Sequence, residues 1–570
     1  MPLKSKRWNV LPRVPSTILA RFPALHPLLA QIFFNRGLVS PEQVENFLAP
    51  DALAQTNPFQ MHGMNQAVER VRRAIRAQEK IAVYGDFDVD GVTATALLTQ
   101  TLEALRARVQ PYIPHRIEEG YGLNLDALKQ LKERGVAIVV TVDCGIRSLD
   151  EIAYGKKIGL DMIVTDHHTP SDQMPDAHAV INPKQVLCNY PFKELSGSGV
   201  AFKFAQALAR AEKNAPLHTN APLFDENLLL DLVALGTVAD LVPLTGENRA
   251  LVKRGLAQLR ATERPGLQAM FRAASLKPES LSAGTIGYIL GPRLNAAGRI
   301  DHAMNAYHLL TTLFPAEADE LAQKLEMTNR DRQRMTQALT ARARELVAAK
   351  AAGEHLLFVA DPEFPEGIIG LIAGRIAEEY YRPTVAVHQG AEESRGSARS
   401  ISEFNIVDAL DQCRDLLVRH GGHAMAAGFT VRNEHLAGLH ARLATIAQKN
   451  LVESELAPTI LVDAEAALEE MNWDLQKSLD QLAPFGYGNR EPVLMSRNVL
   501  VRDARVVGTD HLKLLVSDGQ TVWDAIAFRQ GGWLANLPKT IDLVYQLDAR
   551  EWNGRTQLQL NVMDIKASQK

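Results

Sequence analysis

Residues 81–91 read IAVYGDFDVDG, an unbroken apolar run that ends directly on three aspartates and a glycine. The pattern then alternates. A helix-like stretch, VTATALLTQTLEALRAR (92–108), leads to the extended piece VQPYIP (109–114) and to a second amphipathic segment, NLDALKQLKERG (124–135). VAIVVTVD (136–143), the helix-like SLDEIAYGKKIG (148–159) and DMIVTD (161–166) repeat the same order. Apolar runs of this length, each followed by an amphipathic segment, predict a parallel sheet with helices on both faces. Such sheets gather ligands at the carboxyl ends of their strands, and the acidic residues stand there. The helix-like stretch 226–241 closes the region.

Residues 315–353 read as one long, polar, periodic helix between Pro315 and Gly353, of the kind that bridges two domains. A second α/β unit follows. It comprises HLLFVA (355–360), the helix 367–380, TVAVH (384–388), a helix at 406–413 and a Gly-rich turn, RHGGHAMAAGF (419–429). From about residue 459 five strand-like segments suit a small barrel of oligonucleotide-binding (OB) type, with Asn553-Gly554 as a type I′ hairpin turn. The expected fold is therefore a multidomain α/β chain. A helical segment (1–75), a parallel-sheet domain (76–314), a connecting helix (315–353), a second α/β domain (354–455) and an OB-like barrel (459–570) succeed one another.

The chain has 570 residues and a formal charge of −4, which excludes a uniformly basic nucleic-acid coat but not a local basic groove. Three cysteines, Cys144, Cys188 and Cys413, are too few and too scattered for a disulfide framework or a zinc knuckle. No apolar stretch is long enough to span a membrane, and no signal peptide is read, so a cytoplasmic protein without a membrane partner is expected.

Asp86, Asp88 and Asp90 repel one another unless water or a cation offsets the charge. An EF-hand begins similarly, but its twelfth position falls on Leu97 and a strand precedes it, so that loop is rejected. Asp143 and the Asp166-His167-His168 triplet end further strands at the same sheet edge, and Asp240 closes a helix. Carboxylates with imidazole and no thiolate suit Mn²⁺ or Mg²⁺. Two cations roughly 3.5–4 Å apart, bridged by Asp143, would deprotonate a water and neutralise charge on a phosphoryl group. His168 is assigned either to orient the phosphate or to act as an acid.

GDFDVDG, VDCG, the DHH triplet and GTVAD resemble, in combination and order, the motifs of the DHH phosphoesterase superfamily. Within it the chain is similar, from about residue 40 onwards, to bacterial single-strand-specific 5′→3′ exonucleases. The resemblance implies metal ligation by Asp88, Asp90, Asp143, His167 and Asp240, with Asp86 a further ligand or a supporting partner. Asp143, His167 and His168 are the catalytic candidates. Phe87 stands where the superfamily commonly has Tyr, losing a hydroxyl but no ligand. Arg116 in IPHR, Arg293, Asn295 and Arg299 in GPRLNAAGR, and Ser397, Arg399 and Ser400 in SARS match the same relatives and suit a 5′-phosphate grip. Gly421, Gly422 and His423 resemble a nucleotide-contacting loop.

The expected activity is two-metal degradation of single-stranded DNA to 5′-mononucleotides in recombination and repair, with the strand's 5′ end as substrate and single-strand-binding protein as a partner. Trp523, Trp533, Trp552 and Phe528 are the stacking candidates on the barrel. The alternatives are a phosphodiesterase for small nucleotides or oligoribonucleotides and a non-catalytic strand-binding protein.

Overall fold

A computed structural model describes residues 6–568 except 117, 121, 218–223, 349–352, 452–455, 553 and 554. Two compact units emerge. One comprises residues 1–55, 243–253 and 457–570, and the other residues 56–242 and 254–456.

In the first unit, strand β1 (Arg7–Val10) pairs in parallel with a strand more than four hundred residues later, Thr459–Val462. The N-terminal segment is therefore not purely helical. Its backbone completes a ladder that no local pattern announces. The helix Pro27–Asn35 turns Leu29, Ile32 and Phe33 into the core beneath the C-terminal strands. Those strands run Leu494–Val507, His511–Ser517, Val522–Ala527, Thr540–Trp552 and Arg555–Ala567, and the first pairs back onto the fourth to close the barrel. Asn553-Gly554, the expected turn between the last two, lies outside the described residues.

In the second unit, β2 (Lys80–Gly85), β3 (Arg108–Tyr112), β4 (Val136–Val142), β5 (Asp161–Thr165) and β6 (Ala179–Ile181) form an all-parallel sheet in the order β3-β2-β4-β5-β6. Its central residues are apolar and buried on both faces, as the runs predict. The helix Val89–Ala104 starts straight from the acidic turn, capped by Asp88, whose Oδ1 accepts from Gly91 N at 3.1 Å. Residues 226–241 form a short 3₁₀ turn and then the helix Leu230–Ala239.

The long helix is described over Pro315–Ala348. It packs on the helices Pro265–Ala273 and Gly291–Ile300 of the first α/β layer and on Ile369–Tyr380 of the second. The second sheet orders β7 (Leu357–Asp361), β8 (Thr384–His388), β9 (Glu393–Arg399), β10 (Leu417–His423) and β11 (Ala426–Arg432) as β10-β11-β9-β8-β7. The stretch expected to be a Gly-rich turn is therefore a hairpin. Its glycines sit in strands, where alternation sends Gly421 and Gly428 to one face.

Candidate metal centre and arginine cleft

Every strand of the first sheet delivers its next residues to one edge. The turn after β2 supplies Asp86, Asp88 and Asp90, β4 runs into Asp143, and β5 into the Asp166–His168 loop. Asp240 caps the end of the Leu230–Ala239 helix. Among the described residues, three groups bring ligand atoms within 4.8 Å of one another: Asp86, Asp88 and Asp143; Asp90, His167 and Asp240; and Asp143, His167 and His168. His167 Nε2 lies 3.1 Å from Asp143 Oδ1 and 3.5 Å from Asp240 Oδ2.

The surroundings force this convergence. Asp90 accepts from Gly197 N at 2.6 Å and Ser198 N at 2.9 Å, the free amides that open the Gly197–Asn214 helix. A Cβ on Gly197 would stand 2.5 Å from Asp143 Oδ1, so only glycine lets that helix come so close. Asp143 adopts φ 61°, a conformation costly for a non-glycine residue and common at functional sites. Asp166 organises the neighbouring loop. Its carboxylate accepts from Ile146 N at 3.0 Å, His167 N at 2.7 Å and His168 N at 3.0 Å, and meets His168 Nδ1 at 2.8 Å.

Electrostatics sets the cluster apart from ordinary carboxylates. Burial first, and then the neighbouring carboxylates, drive Asp86, Asp143 and Asp240 well above the usual carboxylate range. Burial and Asp88 raise Asp90 to about 6 against the pull of its backbone donors. Burial and the adjacent His168 hold His167 down at about 3, keeping its imidazole neutral, the form that binds metal. Asp166 behaves oppositely. Despite burial, the His168 bond and charge keep it at about 2, and in return Asp166 raises His168 against burial. Among the described residues, Asp86 Oδ1, Asp143 Oδ1 and Asp240 Oδ2 are buried without a hydrogen-bond partner. Polar atoms left so, all in one place, fit divalent cations.

Beside the cluster lies a cleft of about 470 Å³ between the two sheets, lined by Phe87, Arg116, Arg299, Ser397, Arg399 and Gly421 among others. The Arg116 guanidinium stacks 4.7 Å over the Phe87 ring, so the residue that replaces Tyr supports an arginine. Burial lowers Arg116, Arg399 and, to about 9, Arg299. The charge of Arg116 adds to the effect on the other two, while Asp86 and Asp88 oppose it at Arg116 itself. Arg299 also donates to Gly367 O at 3.1 Å.

Other sequence candidates sit elsewhere. Arg293 turns to the long helix and pairs with Glu326 at 2.7 Å. Asn295 Oδ1 accepts from Val89 N at 3.2 Å and so braces the acidic turn rather than lining the cleft. Ser400 Oγ donates to Phe404 O at 2.5 Å, away from the cleft. Gly422 and His423 lie past the lining, and the charge of His168 is felt at His423. Arg395 and Arg419, which the motif reading did not name, do line it. The spacing of two in Arg395, Ser397 and Arg399 was the available signal, because alternate strand residues share a face.

On the barrel, Trp523 and Trp533 pack against the core, whereas Phe528 is exposed with Arg550 5.0 Å over its ring. The Trp552 side chain lies outside the described residues.

Family models match residues 80–237 (DHH family, N-terminal domain), 353–449 (DHHA1 domain) and 462–564 (RecJ OB domain). The chain is 38% identical to the single-stranded-DNA-specific exonuclease RecJ of Bacillus subtilis over 99% of its own length and 71% of the relative's. It belongs to the RecJ family. It is also 35% identical to RecJ of Escherichia coli, over 96% of this chain and 97% of that one. The crystal structure of RecJ from Thermus thermophilus in complex with Mn²⁺ superposes with a TM-score of 0.85 at 30% identity, covering 99% of this chain and 80% of that one. The same RecJ has also been crystallised with Mg²⁺, and it superposes with a TM-score of 0.79.

Proposed function

We infer that this chain is a divalent-cation-dependent exonuclease that shortens single-stranded DNA from its 5′ end and releases 5′-mononucleotides. The observation that carries the reading is adjacency. Arg116 stacks on Phe87, in the middle of the acidic turn, while Arg299 and Arg399 line the same cleft. A terminal phosphate gripped there leaves the next phosphodiester over the carboxylate and imidazole cluster, which sets both the polarity and the one-nucleotide step.

Asp86, Asp88, Asp90, Asp143, His167 and Asp240 are the residues that would hold the cations. Asp143 contributes to two of the three ligand groups, which supports its role as the shared carboxylate. Bound there, Mn²⁺ or Mg²⁺ would supply Lewis acidity and make an attacking water more acidic. The protein does the rest. Gly197 and Ser198 amides hold Asp90 in register. Asp166 favours the charged form of His168 and aims its ring, so that His168 orients the phosphate or protonates the departing oxygen. Gly421 and Gly428, on one sheet face without side chains, leave room for the terminal nucleotide.

The division into a parallel-sheet catalytic domain, a connecting helix, a second α/β domain and a strand-holding barrel belongs to the same reading. Phe528, exposed beside Arg550, supports stacking on the barrel. Among the described residues no helix is long and apolar enough to cross a membrane. Membership in the RecJ family supports work in recombination and repair, a cytoplasmic location and a partnership with single-strand-binding protein.

The test is degradation of strands labelled at either end, DNA beside RNA, with Mn²⁺, Mg²⁺ or chelator. The 5′ label should leave first as a mononucleotide, from DNA, and only with a cation. Release from the 3′ end, or undiminished turnover in chelator, overturns the reading.

A further inference from the structure

The sheet edge that carries the candidate metal ligands has a definite order of charge. With the strands in the order β3-β2-β4-β5-β6, the chain leaves them successively into Arg116, the Asp86–Asp90 turn, Asp143, the Asp166–His168 loop and Asn182-Pro183-Lys184. The acidic and imidazole middle is thus flanked by a cation at either end. Neighbouring strands lie about 4.8 Å apart, so the Lys184 loop begins one strand spacing beyond the histidines.

That loop is anchored to them. Asn182 Nδ2 donates to His168 O at 2.9 Å, and Asn182 Oδ1 accepts from Lys184 N at 2.8 Å. The Lys184 side chain is 24% exposed, its Nζ 3.4 Å from Oε2 of Glu194, a carboxylate itself half in water. Its charge is felt at His167, Asp240 and His423, three groups around the metal centre. Beyond it the loop is open, with Val186 and Leu187 facing solvent.

We propose that Lys184 binds the phosphate next to the scissile one on its 3′ side, across the metal centre from Arg116, so that a cation holds the strand on each side of the reacting bond. A flexible ammonium with three donors suits that task, because it takes any non-bridging oxygen and reads no base. The proposal rests on the exonuclease reading and on its 5′ orientation.

The experiment compares kcat/KM on a 5′-phosphorylated deoxydinucleotide, whose one phosphodiester is the scissile bond, with the trinucleotide, which adds the next phosphate. The proteins are the wild type, Lys184→Gln and Lys184→Arg. The trinucleotide-to-dinucleotide ratio should fall about tenfold in Lys184→Gln, the loss expected for one charge-assisted bond, and be largely restored in Lys184→Arg. On a longer strand, log affinity against log salt should be shallower by about 0.7 in Lys184→Gln. An unchanged ratio and slope overturn the proposal, whether or not overall activity drops. A wild type inert on both oligonucleotides, and on long DNA, instead sinks the exonuclease reading, and the proposal with it.

Discussion

At the scale of single residues, Asp143 is under the most constraint. It sits at φ 61°, is buried, and among the described residues its Oδ1 has no hydrogen-bond partner. Asp143→Asn should therefore abolish hydrolysis, with single-strand binding retained. It should also separate two roles in thermal melts. Without cations the variant melts higher than wild type, because one member of a mutually repelling buried set is gone. Wild type should gain about 2.7 kcal/mol at a hundred times the metal dissociation constant, and the variant much less. Equal metal-induced shifts in both proteins would remove Asp143 from the ligand set.

Two arginines show where local reading stops. Arg293 and Arg299 share one motif, yet six residues turn a helix by roughly 240°, so they leave it in directions roughly 120° apart. Arg299 enters the cleft and Arg293 pairs with Glu326. The motif carries both, and only the position of the long helix separates them.

At the scale of elements, β9, β10 and β11 form a face built for a guest. Their register aligns Ser397 with Gly428 and Gly428 with Gly421, while Arg395 and Arg419 flank Thr430 in the next row. A Cβ on Gly421 meets no atom within 4 Å, so the glycine is not required by packing. Gly421→Val should leave the melting temperature close to wild type, because a β-branched residue suits a strand. The added methyls project into the cleft, and KM for a 5′-phosphorylated strand should rise about tenfold. A variant that binds normally would show that the nucleotide does not lie on this face. The turn reading of 419–429 failed because glycine clusters usually mark turns, and here the glycines instead clear a strand surface.

At the scale of the whole molecule, the N-terminal residues act far from their place in the chain. Phe33 is fully buried in the core formed with the barrel strands and meets Phe47 edge-on at 5.8 Å. Phe33→Ala should cost its unit about 3–5 kcal/mol, read as an earlier unfolding transition in denaturant. Preserved stability would show that the N-terminal helix merely rests on the barrel.

The parallel sheet, the long helix, the barrel strands and the acidic and imidazole ligand candidates were all legible in the residues. Each depends on patterns within one segment: apolar runs that must be buried on both faces, helical periodicity, and carboxylates placed at strand ends. Tertiary structure alone decided which arginines share a cleft, that Gly197 presses a helix end onto Asp90 and Asp143, that residues 7–10 join a strand from the far end of the chain, and that Lys184 ends the row begun by Arg116. Those facts depend on strand order and helix rotation, which follow from how distant segments bury one another's surfaces and not from the spacing within any of them.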